Sequence, residues 1–72
     1  MSDEAFERLV NLVVRELAKS DRPVAPDQLI RQVLAQDGTV SSADVRRAIW
    51  HLETEHRIDF EPDWTIRVAA AA

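Results

Sequence analysis

The residues best placed to do chemistry in this chain are Arg46 and Arg47, followed one turn later by Trp50 and His51. A guanidinium presents paired planar donors and keeps its charge at every physiological pH, so two of them on one helix can contact phosphate or the edge of a guanine. The same pair can instead be neutralised by Asp44 and Glu53, which lie within one or two helical turns. Trp50 has its own pair of readings. It is either an anchor that a partner buries or a large side chain folded over a small core.

Other chemistry finds little to work with. The chain has no cysteine and no tyrosine, no glycine-rich phosphate loop and no His-Glu-x-x-His spacing, and its carboxylates are scattered without convergence. No enzymatic activity is expected from it. His51 and His56 are five apart and point in different directions on a helix, which argues against a shared metal site and leaves His51 with Glu55 as a surface pair. No metal or other cofactor is called for.

Arginines and an indole can act together only if a helix carries them, and the spacing of Val45, Ala48, Ile49 and Leu52 supplies one. Ser41-x-x-Asp44 opens it as a capping box, and the helix ends near Glu55, with His56 where the chain must leave through a left-handed conformation. With that buried face, Trp50 turns outward between Arg46, Arg47 and Thr54. Two earlier helices complete the support. The first runs from about Asp3 to Lys19 on Phe6, Leu9, Val10, Val13, Val14 and Leu17, with Ser2 or Asp3 as its cap. Pro26 starts the second, which buries Leu29, Ile30, Val33 and Leu34. Gly38 closes it in a positive backbone angle, and Val40 forms an apolar plug before the third helix.

After Glu55 the apolar period changes to two. Ile58 and Phe60, then Trp64, Ile66 and Val68, read as a hairpin around a Glu61-Pro62-Asp63-Trp64 turn, with Trp64 sharing the parity of Ile66 and Val68 and so expected in a structural role. Val24, between Pro23 and Pro26, can form a very short strand against that hairpin. The fold expected is therefore small α+β: three helices followed by a two-stranded hairpin. Residues 1–68 form one domain, and residues 69–72 are an alanine tail or the start of a linker.

From Val24 to Val68 the chain resembles the winged helix-turn-helix domains of bacterial regulators of the GntR and MarR families. The residues that carry the resemblance are Pro23-Val24, Val40-Ser41, Val45-Arg46-x-Ala48-Ile49-x-x-Leu52-Glu53 and Arg57-Ile58. It implies transcription regulation by a domain whose third helix enters the major groove of double-stranded DNA, with DNA-contact roles for Ser41, Ser42, Arg46 and Arg47.

Charge supplies the second hypothesis. The chain of 72 residues carries 13 acidic and 9 basic side chains, a formal charge of −4, and the hairpin sets Asp59, Glu61 and Asp63 against Arg67 alone. A hairpin of that sign repels phosphate. The alternative is thus a protein-interaction module, an adaptor or homodimer, that uses the face of Trp50 and His51. With no secretory or membrane-spanning apolar run, the expected setting is the cytoplasm.

Overall fold

A computed structural model describes residues 2–69. Three helices, α1 (Asp3–Ala18), α2 (Pro26–Gln36) and α3 (Ser42–Thr54), precede two short strands, β1 (Ile58–Phe60) and β2 (Ile66–Val68). The strands pair antiparallel with Ile58 opposite Val68, Asp59 opposite Arg67 and Phe60 opposite Ile66. This is the α+β architecture expected from the sequence. The third short strand is present too, as a bridge from Val24 to Ile66.

The periods read in the sequence correspond to one core. Leu9, Val10, Val13 and Leu17 of α1 meet Leu29, Ile30 and Val33 of α2 and Val45, Ala48, Ile49 and Leu52 of α3, and Val24, Ile58 and Ile66 close the base. Phe6, Val14, Leu34 and Val40 are half-buried at its margin. No helix of the described residues is long and apolar enough to cross a membrane.

The helix ends follow local chemistry. Ser2 caps α1 by accepting from the Ala5 amide at 3.1 Å. The capping box of α3 is complete: the Asp44 amide donates to Ser41 Oγ and the Ser41 amide donates to Asp44 Oδ2, both at 3.1 Å. At its other end the Arg57 amide reaches the Leu52 carbonyl (2.9 Å) and the His56 amide reaches that of Glu53 (3.0 Å), the double bond pattern of a helix closed by a left-handed residue. That residue is His56, with φ at 58°. The chain thereby passes from α3 into β1 within a few residues, which ties the hairpin's direction to the helix.

The expected role of Gly38 needs correction. Gly38 does not have a positive φ, and a Cβ built there meets nothing within 4 Å. α2 ends earlier, at Gln36, and the turn is made by Asp37, whose Oδ1 accepts from the Thr39 amide at 2.9 Å and the Thr39 hydroxyl at 2.5 Å. A side chain that folds back on the backbone two residues ahead does the work assigned to glycine. Beyond β2, the Ala69 amide donates to the Arg57 carbonyl at 3.0 Å. The remainder of the alanine tail, residues 70–72, lies outside the described residues.

Two outcomes follow for stability. Ile49→Ala removes a side chain only 4% exposed at the centre of the core and should cost ~2–5 kcal/mol, a large share of what so small a domain has. Denaturant unfolding measures it, and an unchanged midpoint would mean that the buried face of α3 is misassigned. The second outcome is pH dependence. The Ser41 amide and then the Ser41 hydroxyl hold the Asp44 carboxyl below its ordinary 3.8, and the Thr39 hydroxyl and amide do the same for Asp37. Because these carboxyls bind protons more weakly folded than unfolded, their contribution is complete above the ordinary value and is lost as pH falls through the depressed folded values. Thermal melts should be flat above about pH 5 and fall below about pH 4, with a shallower fall in Asp44→Asn.

Candidate functional site

Helical geometry around the buried stripe of α3 points Ala43, Arg47, Trp50 and Thr54 away from the core, with Arg46 on the flank toward the hairpin and His51 on the flank toward α1. Packing agrees on both flanks. The Trp50 and Phe60 rings lie 6.2 Å apart, and the His51 ring meets Phe6 of α1 edge-on at 5.4 Å. Ser41, Ser42, Arg46, Arg47, Trp50 and His51 are all exposed.

Three close contacts of a basic side chain with a carboxylate form among the described residues. Lys19 pairs with Glu16 at 2.8 Å, His51 with Glu55 at 3.0 Å and Arg67 with Glu61 at 2.7 Å. Neither Arg46 nor Arg47 makes an ion pair among the described residues, because Asp44 turns back to Ser41 and Glu53 stays out of reach. Two arginines without a salt bridge thus project from α3, and Arg47 is near enough to Asp44 to help lower its pKa. The Arg67–Glu61 pair leaves Asp59 and Asp63 as the open carboxylates of the hairpin, and the Thr65 hydroxyl and amide hold Asp63 below its ordinary pKa.

The six residues singled out in the sequence do not form one cluster. Ser41 and Ser42 sit at the start of α3; the Ser41 oxygen accepts from the Asp44 amide and its hydroxyl faces the Asp44 carboxyl, so the Ser42 hydroxyl is what remains for a ligand. Arg46, Arg47 and Trp50 share the outward surface. His51 is turned to the α1 side and engaged by Glu55, so it does not join Trp50.

Trp64 departs furthest from expectation. It is not on the inward face of β2: it lies in the loop, 72% exposed, with φ at 68°. The Glu61 amide donates to the Thr65 carbonyl (2.8 Å) and the Trp64 amide to the Glu61 carbonyl (2.9 Å), so Pro62, Asp63 and Trp64 form a three-residue hairpin loop. The last position of that loop is left-handed and ordinarily glycine, since a Cβ there costs ~1–2 kcal/mol. Here it holds the larger of the two aromatic ring systems in the chain. Its ring meets Phe60 edge-on at 6.2 Å, so Trp50, Phe60 and Trp64 make a continuous row from α3 to the loop tip, with Trp50 61% and Trp64 72% exposed. Phe60 and Trp64 were not legible as parts of a site. The spacing of Trp64 from Pro62 was the available signal, because a three-residue loop removes Trp64 from the strand's alternation.

A cleft of about 1060 Å³ lies between α1 and the α2–α3 connection, lined by Arg8, Asn11, Leu12, Arg15, Asp37 and Val40 among others. The carboxylates at its rim, Asp37 and Asp44, are engaged by Thr39 and Ser41. It brings together no acid and base. Among the described residues no group of three or more histidine, aspartate and glutamate side chains could hold a metal ion. Comparison of the chain with protein-family models, with curated proteins and with solved structures finds no match.

The strain at Trp64 gives a test in which substitution by glycine is favourable. Losing the Phe60 contact costs ~0.5–1.5 kcal/mol and releasing the left-handed Cβ returns ~1–2 kcal/mol. Trp64→Gly should melt at or above the parent temperature, and Trp64→Ala, which loses the contact and keeps the strain, should melt below Trp64→Gly. Circular dichroism melts of the three chains decide it, and a glycine variant less stable than the alanine variant would contradict the loop geometry.

Proposed function

We propose that this chain is a winged helix domain that binds double-stranded DNA through α3 and serves in transcription regulation. The observation that carries the reading is the pair Arg46 and Arg47, exposed on a helix that projects from the core and free of ion pairs among the described residues. A 13-residue helix followed at once by a hairpin is the geometry in which a helix enters a major groove while the hairpin lies beside it. In this pose Arg47 faces the groove floor, where guanine offers two acceptors, and Arg46 reaches the backbone on the hairpin side. The Ser42 hydroxyl, next to the Asp44-engaged Ser41, adds a contact to phosphate at the helix start. Asp44 lies beside them and works against a phosphate there, so most of the attraction falls on the two arginines.

The net charge of −4 sets the strength of the interaction. Few phosphates are neutralised, so a single copy binds weakly, and useful affinity needs more than one domain on the DNA. Arg46→Ala and Arg47→Ala together should abolish duplex binding at moderate salt while leaving the circular dichroism spectrum unchanged. Each single change should lower the slope of log K against log salt by about 0.9. A double variant that binds duplex as the parent does would refute the reading.

A further inference from the structure

The row Trp50–Phe60–Trp64 has no function in the DNA reading, and it holds the two most exposed large hydrophobic side chains of the described residues. Two observations show that it is unlike incidental surface. An indole occupies a left-handed loop position at a steric cost that glycine would not carry, and such outliers cluster at binding and switch sites. The second is charge. Around Trp50 the helix is dipolar: Arg46 and Arg47 lie one turn before it and Glu53 one turn after, and neither Arg47 nor Glu53 has an ion-pair partner among the described residues.

We propose that a second copy of this chain covers the row, with two α3 helices packed antiparallel about a two-fold axis at Trp50. A two-fold interface must complement itself. Antiparallel α3 helices crossing at residue 50 bring Arg47 of each copy beside Glu53 of the other, since both are three residues from Trp50, so the two unpaired charges satisfy one another on both sides of the axis. Trp50 meets Trp50 at the centre, and the rest of each row extends along the hairpin. At their exposures the two tryptophans of one copy offer on the order of 300 Å², roughly 600 Å² for the pair, more than half of the about 1,000 Å² that marks a specific interface. Phe60 and the stems of Arg46 and Arg47 extend it. A polyanion is the poorer occupant, because the row leads from the arginines toward Asp63 at the loop tip.

Self-association covers Arg47 and part of Arg46. If DNA binds as proposed above, the dimer excludes it, and apparent DNA affinity falls as protein concentration rises; this consequence alone rests on that reading.

The test is the oligomeric state of the chain without DNA, by analytical ultracentrifugation across concentration. The parent should associate reversibly. Trp50→Ala should weaken association about tenfold or more, and Trp64→Gly should weaken it while keeping parental thermal stability or better, which separates loss of an interface from loss of fold. Arg47→Glu and Glu53→Arg should each be monomeric, because each places like charges across the axis, and mixing the two variants should restore a heterodimer. A parent chain that stays monomeric at its solubility limit would overturn the proposal, as would failure of the mixed variants to pair. Tryptophan emission that responds to single-stranded oligonucleotide in a strictly monomeric parent would assign the row to nucleic acid and equally overturn it. None of these outcomes depends on whether duplex DNA binds.

Discussion

The pairing of Val24 with Ile66 is the constraint on which the working surface depends. The Val24 amide donates to the Ile66 carbonyl at 2.8 Å and the Ile66 amide donates to the Val24 carbonyl at 2.7 Å, so two adjacent backbone bonds join the α1–α2 connection to the last strand. Strands of three residues make a hairpin that would not hold its place in water. Here the inner strand is pinned on both edges, to Val24 and to β1, and Ile66 and Ile58 are buried beneath it. Phe60 sits opposite Ile66 in the ladder. Its position, and through it the alignment of Trp50 with Trp64, follows from a bond made some forty residues away in sequence.

The other end of the hairpin is fixed by His56. The left-handed His56, just past the C-cap of α3, lets the chain reverse within a few residues, so helix and hairpin are joined by a tight hydrogen-bonded turn. A surface that spans both elements can then be preorganised, and a rigid surface loses less entropy when it binds. The charge pattern suits such a surface better than the total charge suggests. Arg46 and Arg47, like Arg57 just beyond the helix, make no ion pair among the described residues, so the α3 charges without a salt bridge are positive before Trp50 and negative at Glu53. The proposed duplex DNA and the proposed second copy of the chain would draw on the same arginines. In this account they compete.

Most of the fold was legible in the sequence because the core obeys simple periods. Val45, Ala48, Ile49 and Leu52 mark one helical stripe, Ser41 and Asp44 mark its start, and the proline pair around Val24 leaves little room for anything but an extended residue. His56 was readable because a helix that runs into a strand needs a turning residue at that place. Gly38 was misread for the complementary reason: glycine permits a positive φ, whereas the Asp37 carboxylate gives the turn a cheaper way to form. The candidate site was legible only in part. Helical geometry placed Arg46, Arg47 and Trp50 on the outside, but it could not tell that Asp44 and Glu53 leave the arginines unpaired. Counting alternation through the loop put Trp64 on the wrong face, because two-residue and three-residue loops differ by one step of the strand period.

The central claim is that the outward surface of α3 recognises duplex DNA. The most direct measurement is a titration of the isotopically labelled chain with duplex DNA at low salt, followed through its backbone amide resonances. The account predicts progressive shifts in residues 41–56, largest around Ser42, Arg46 and Arg47, with the amides of α1 little changed. A titration in which no resonance of residues 41–56 moves would contradict it.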